Sequence, residues 1–258
     1  MNVADHITAW LRNYLVDNDR ECFVVGVSGG VDSAVVSTLC AQTGVSTIVL
    51  NMPIDSTKTN TELSITHCDW LAKNFKNVRP KAIDLGGTFT SFKSDMLQIA
   101  PDDELACANT KSRIRMMALY YVAAAAGGIV VGTGNKVEDF GVGFYTKYGD
   151  GGVDISPIAD LTKTEVRQLA STLGVRNEII EAPPTDGLWE DSRTDEEQIG
   201  ASYEELEWVM QYLRSSDSQQ LTARQQSVLK IYQEFHNKNK HKMEPIPVFD
   251  ASPYQEKV

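Results

Sequence analysis

Ser28-Gly29-Gly30-Val31-Asp32-Ser33 places two glycines, two hydroxyls and a carboxylate in one short stretch, directly after the apolar run Cys22 to Val27. Glycines let backbone N–H groups approach an anion closely, hydroxyls donate to it, and a helix beginning here adds a favourable dipole. Phosphate binding by Gly26, Val27, Ser28, Gly29, Gly30, Val31, Asp32 and Ser33 is the chemistry this suits. A plainer reading is a tight strand-to-helix turn in which Ser28 or Asp32 caps the helix. The loop has neither the lysine of a Walker A sequence nor a G-x-G-x-x-G spacing, which removes support from a γ-phosphate kinase and a dinucleotide oxidoreductase. Asp32 would repel phosphate oxygens unless a cation lay between them. Mg²⁺, which takes oxygen ligands and bridges carboxylate to phosphate, is the expected ion.

The elements needed to position this loop follow from periodicity. Val3, Ile7, Trp10, Leu11, Tyr14 and Leu15 recur at helical spacing, so the chain opens with an amphipathic helix rather than a signal peptide. A strand over 22–27, a helix through Leu39 and Cys40, a strand over 47–52, a helix over 61–75 and a strand near 78–84 then alternate. Such alternation implies a parallel sheet. The polar stretch 86–103 reads as a loop or mobile segment, followed by a helix through Ile114, Met117 and Tyr121 and by a buried strand over 129–133 expected in the middle of the sheet. Gly134 to Val153 and Pro183 to Glu207 resist a regular reading, and Gly134–Val153 and Pro183–Gly200 are the candidate lids. Capping-box patterns at Thr162/Glu165, Ser202/Glu205 and Thr222/Gln225 mark helix starts, and the chain is mainly helical from about residue 162. No repeat or linker divides it, so residues 1–258 are expected to form a single domain.

Composition narrows the function. With 24 Lys+Arg against 35 Asp+Glu the net charge is −11, a repulsive mean field for nucleic acid. Cys22, Cys40, Cys68 and Cys107 form no C-x-x-C pair and are expected to be reduced, buried thiols, which disfavours zinc, thiolation chemistry and a secreted framework and favours the cytoplasm. The longest nearly apolar run, Met116 to Val131, is broken by Gly127-Gly128 and is too short to span a bilayer, so no membrane partner is expected.

Ser28 to Ser33 resembles the pyrophosphate-binding loop of the N-type ATP pyrophosphatases. Gly132-Thr133-Gly134-Asn135-Lys136 with Glu138, and Gly143 to Asp154, are similar to the diagnostic stretch of the NAD synthetase family. Asn109 to Met116 is similar to its substrate helix and His241-Lys242 to its C-terminal substrate contact, so the resemblance runs from about Val24 to Phe249. It implies an α/β fold, a twisted parallel sheet flanked by helices, Rossmann-like and of the adenine nucleotide alpha hydrolase type. It also implies ATP as co-substrate, Mg²⁺, a homodimer with the substrate site near the subunit interface, and ammonia-dependent amidation. In that reaction ATP adenylates the nicotinate carboxylate of deamido-NAD, releasing pyrophosphate, and ammonia displaces AMP.

Carried over by position, Asp32 and Glu138 would hold Mg²⁺, while Gly26 to Ser33, Thr133, Lys163 and Thr185 would contact ATP. Asn109, Arg113, Lys147, Asp154, His241 and Lys242 would hold deamido-NAD. Lys163 sits in the first turn of a helix, where a cation opposes the dipole and an anionic ligand would repair the mismatch. Asp150 or Asp154 would bind ammonium and help remove its proton. Catalytic weight therefore falls on Asp150, Asp154 and Lys163. His6 and His67, lone histidines on helical patterns, read as surface or packing residues. Five steps separate Glu138 from Gly143, one more than the family spacing, so a bulge is expected there. Glutamine-dependent relatives carry an added amidase domain for which this chain has no room, which points to free ammonia or a separate amidase as nitrogen source. The rivals are another pyrophosphatase, such as a tRNA thiolase, and an adenine-nucleotide sensor without chemistry.

Overall fold

In the computed structural model, residues 2–55, 58–189, 193–215 and 220–252 are described. Helix α1 (Val3–Asp17) starts at an Asn2/Asp5 capping box and buries Leu11 and Leu15. Strand β1 (Phe23–Gly26), helix α2 (Val31–Gln42), strand β2 (Thr47–Asn51), helix α3 (Lys58–Asn74) and strand β3 (Val78–Ala82) follow in the expected alternation. Next come α4 (Gly86–Met96), α5 (Glu104–Ala125) and β4 (Ile129–Val130).

All pairings are parallel, in the order β3-β2-β1-β4, with Phe23 opposite both Thr47 and Ile129. The strand at 129–130 therefore lies at an edge of the sheet and not in its middle, with a single bridge from Val131 to Ile155 beyond it. Its shortness explains the place: Gly132 packs against Val153, where a Cβ would come within 2.6 Å of the valine side chain, and the chain leaves the sheet. One face of β1, through Phe23 and Val25, packs on α1 and α2; the other, through Val24, meets Ile114 and Ala123 of α5.

The stretch read as a loop at 86–103 is helical over most of its length. Gly86, Gly87, Thr88, Thr90 and Ser91 are weak helix formers, and burial of Phe89 against the second core, which propensity does not register, accounts for α4.

Beyond β4 a π-helix (Val137–Val142) ends at Gly143, in the left-handed region at φ 64°. This is the expected bulge: a π turn takes up one extra residue. Helices α6 (Lys163–Leu173), α7 (Asn177–Ile180), α8 (Asp195–Ile199), α9 (Tyr203–Arg214) and α10 (Ala223–Met243) complete the chain. The three expected capping boxes are formed, and besides Asn2/Asp5 a further one, Thr194/Glu197, gives the second candidate lid a regular start at α8. No helix among the described residues is long and apolar enough to cross a membrane. Cys22, Cys40 and Cys68 are buried and free, while Cys107 is half-buried.

Candidate active site

A cavity of about 910 Å³ opens at the C-terminal ends of β1, β2 and β4. The expected phosphate loop forms its floor, joining β1 to α2 with Gly30 as N-cap and no side-chain cap. Neither Ser28 nor Asp32 serves as the cap. Instead Ser33 Oγ donates to Gly30 O and accepts from Ser28 N, and Gly30 N donates to Ser28 Oγ, which locks the turn from within. Gly29 is required twice over: its φ is +97°, and a Cβ there would stand 2.5 Å from Asn60 O.

Asp32, in the first turn of α2, is drawn to two other elements. Lys163 Nζ, from the first turn of α6, donates to Asp32 Oδ2 at 2.5 Å and to Glu138 Oε1 of the π-helix at 3.0 Å. Asn135 Nδ2 reaches Asp32 Oδ1 at 3.4 Å, and Asn135 Oδ1 accepts from Val137 N and Glu138 N, so one fully buried amide ties the start of the π-helix to the loop. Lys163 is only 2% exposed. Burial works against its charge, but Asp32 and Glu138 outweigh it and hold the ammonium above the usual lysine range.

The carboxylates of Asp32 and Glu138 thus already converge on one cation. Their oxygen donors suit Mg²⁺, a hard cation. No cluster of three or more His, Cys, Asp or Glu able to hold a metal occurs among the described residues, so Mg²⁺ held by Asp32 and Glu138 would need oxygens from the nucleotide as well.

Thr133, Thr185, Asn109, Arg113, Lys147, Asp150, His241 and Lys242 also line the cavity. Thr185 Oγ1 donates to Arg193 O and accepts from Gly187 N. On the opposite side Thr146 Oγ1 donates to Asn109 Oδ1 at 2.6 Å, and Arg113 donates to Lys147 O. The tail helix α10 is laced to the glycine-rich segment by Lys147 Nζ donating to His241 O and Lys242 Nζ to Tyr145 O, each at 2.7 Å. Lys147, His241 and Lys242 are thus gathered where α10 meets the glycine-rich segment in the cavity lining. Asp150 Oδ1 accepts from Ser112 Oγ at 2.7 Å and from Thr146 N at 3.0 Å.

Asp154 alone of the expected residues lies outside the cavity lining. Its Oδ2 accepts from Val130 N at 2.7 Å and its Oδ1 from Tyr120 Oη at 3.0 Å. His67 is a packing residue, fully buried, and His6 is exposed.

Three acidic or phenolic residues that sequence reasoning passed over stand in or against this wall. Asp139, next to Glu138, lines the cavity, and burial pushes its carboxyl up to about 8. Asp195 lines it too and is pushed up to about 7, again by burial. Tyr203 Oη reaches Glu138 Oε1 at 2.5 Å. The capping boxes at 194 and 202 were the available signal, since they fix Asp195 and Tyr203 at helix starts, but they do not say what those starts face.

A parallel sheet with a phosphate loop at the end of its first strand and an acid–lysine cluster above it defines an adenine nucleotide alpha hydrolase-like fold. The chain belongs to the NAD synthase family, whose profile matches residues 3–246. It is 40% identical over 223 residues, 85% of this chain and 82% of the relative, to an NH(3)-dependent NAD(+) synthetase of Methanococcoides burtonii. Among solved structures it resembles NMN synthetase from Francisella tularensis, with 29% identity, a TM-score of 0.85, and 96% and 97% of the two chains covered. It likewise resembles the NH3-dependent NAD synthetase of Campylobacter jejuni, with 25% identity, a TM-score of 0.78, and 97% and 100% covered.

Proposed function

We propose that this chain is an ammonia-dependent NAD synthetase, a ligase that makes NAD from deamido-NAD, ATP and ammonia with release of AMP and pyrophosphate. The observation that carries the reading is the Lys163 ammonium bridging Asp32 and Glu138 beside the phosphate loop, in a chain of the NAD synthase family. Loop N–H groups and Lys163 receive the phosphates of ATP and offset the charge that builds on departing pyrophosphate. Mg²⁺, held by Asp32 and Glu138, supplies Lewis-acid polarisation of the phosphate oxygens when bound. Thr133 and Thr185 contact the nucleotide. Asn109, Arg113, Lys147, His241 and Lys242 hold deamido-NAD at the other end, placing its nicotinate carboxylate for attack on the α-phosphorus. Asp150, whose Oδ1 is fixed by Ser112 and Thr146, binds ammonium and takes its proton before ammonia displaces AMP.

The protein acts as a homodimer in the cytoplasm. Phe92 and Met96 of α4 and Met117 and Tyr121 of α5 are exposed apolar residues of the kind a subunit interface covers.

A second reading is synthesis of nicotinamide mononucleotide, favoured by the likeness to the Francisella enzyme. Purified protein given ATP, Mg²⁺ and ammonium, with deamido-NAD in one reaction and nicotinate mononucleotide in another, separates the two. NAD from the first and no amide from the second is the expected result, and glutamine in place of ammonium should give none. Faster amidation of the mononucleotide would install the second reading; no AMP with either acceptor would defeat both.

A further inference from the structure

The Tyr203 hydroxyl and the Asp195 carboxyl are buried beside the acid–lysine cluster, yet the reaction described above uses neither. Tyr203, the first residue of α9, is 0% exposed. Its hydroxyl lies 2.5 Å from Glu138 Oε1 and 3.2 Å from Asp195 Oδ2, and its ring lies 4.7 Å from the Lys163 ammonium. One side chain thus touches Glu138, Asp195 and Lys163.

The geometry at Glu138 is selective. Lys163 and Tyr203 both use Oε1; among the described residues Oε2 receives no donor, so it is the oxygen left for a ligand. Asp195, 6% exposed, keeps Oδ1 buried without a partner. Its neighbours are cavity-lining too: Asp195 N donates to Pro184 O, and Gln198 Nε2 donates to Asp186 Oδ2.

We propose that Tyr203 is a positioning residue for the cation site: its hydroxyl fixes the Glu138 carboxylate with Oε2 free, and its contact with Asp195 ties that carboxylate to the wall formed by Pro184, Asp186, Asp195 and Gln198. The proposal rests on Glu138 being a cation ligand. Tyr203 then acts on metal and nucleotide only through Glu138. An acid held by a single flexible lysine would sample several rotamers; one held from two sides presents one oxygen in one place.

The probe is Mn²⁺ with α,β-methylene-ATP, with binding read by electron paramagnetic resonance and set beside the melting temperature of the ligand-free protein. Tyr203→Phe keeps the ring and removes only the hydroxyl. Loss of a group that orients a metal ligand weakens metal binding about ten- to hundredfold. That fall, with a matching rise in the Mg²⁺ needed for half-maximal AMP formation, is the expected result. A purely structural role would lower the melting temperature and leave Mn²⁺ affinity at the wild-type value, which would overturn the proposal. Glu138→Gln separates the two layers. If it binds Mn²⁺ like the wild type, the reading of Glu138 as ligand is what fails. Should Tyr203→Phe not fold, Asp195→Leu and Asp195→Asn replace it: weaker Mn²⁺ binding in the first and retention in the second support the proposal, and wild-type binding in both overturns it.

Discussion

Lys163 is costly where it stands. A cation in the first turn of a helix opposes the dipole by about 0.3 to 1 kcal/mol, and at 2% exposure it gives up nearly all its hydration. Asp32 and Glu138 offset this, and the three together leave one net negative charge facing the phosphate loop. Asp32→Asn removes one partner but leaves Lys163 paired with Glu138, and Asp32 keeps 16% of its side chain in contact with solvent. Its cost is therefore about 1 to 2 kcal/mol, below the full loss of a buried pair, or roughly 2 to 8 °C in melting temperature. AMP formation should fall at least about a hundredfold, so a scan showing a folded protein beside an assay showing no AMP is the expected combination, whereas an unfolded variant would make Asp32 structural. Asp150→Asn tests a different step. With Oδ1 already taken by Ser112 and Thr146, the change should raise the ammonium concentration needed for half-maximal NAD formation and leave that for ATP unmoved. The loop, Glu138 and Lys163 were legible because each lies in a short local pattern. Tyr203 and Asp195 were not, because their meaning comes from elements that meet only after folding.

Between α2 and α3 the fold places a histidine whose protonation the core resists. Ser37 Oγ donates to Ser33 O at 2.7 Å, so at 3.0 Å from His67 Nε2 it is the acceptor, and His67 Nδ1 is left as a buried lone pair without a partner. Burial lowers the imidazole from 6.5 to about 4. Between those values the unfolded chain binds the proton and the folded one does not, so stability is full above 6.5 and declines as pH falls towards 4. Urea unfolding at about pH 7 and about pH 4.5 should show the wild type losing about 2 kcal/mol more than His67→Gln; equal losses would show that His67 does not titrate there. Strand–helix alternation was legible because β1, α2, β2 and α3 carry clean periods. Helix α4 was not, because its glycines, threonines and serines argue for a loop and only the burial of Phe89 argues otherwise. The spacing from Glu138 to Gly143 announced a bulge, and the π-helix is the form it takes.

The charge of −11 is a property of the whole surface, and against it Lys147, Lys238, His241 and Lys242 stand out because all four line the cavity. A diphosphate-bearing substrate would find these four cations gathered at one place in an acidic molecule. Asp154 breaks this pattern. It lies outside its own cavity, locked between Val130 N and Tyr120 Oη, next in sequence to the exposed Tyr121 of α5. A contact from Asp154 to deamido-NAD in a partner subunit's cavity would need a dimer packed through this side of α5. If the proposed homodimer packs this way, Tyr121→Asp should shift sedimentation from dimer to monomer and abolish NAD formation without loss of helix. Complementation is the sharper test. A dimer pairing an Asp154→Ala subunit with an Asp32→Ala subunit keeps one complete site if Asp154 serves its partner, and none if each subunit serves itself. Random mixing of two inactive variants should then restore about one quarter of wild-type activity, since half the dimers are mixed and one of their two sites is whole. No recovery, with mixed dimers present, would confine Asp154 to holding the end of β4.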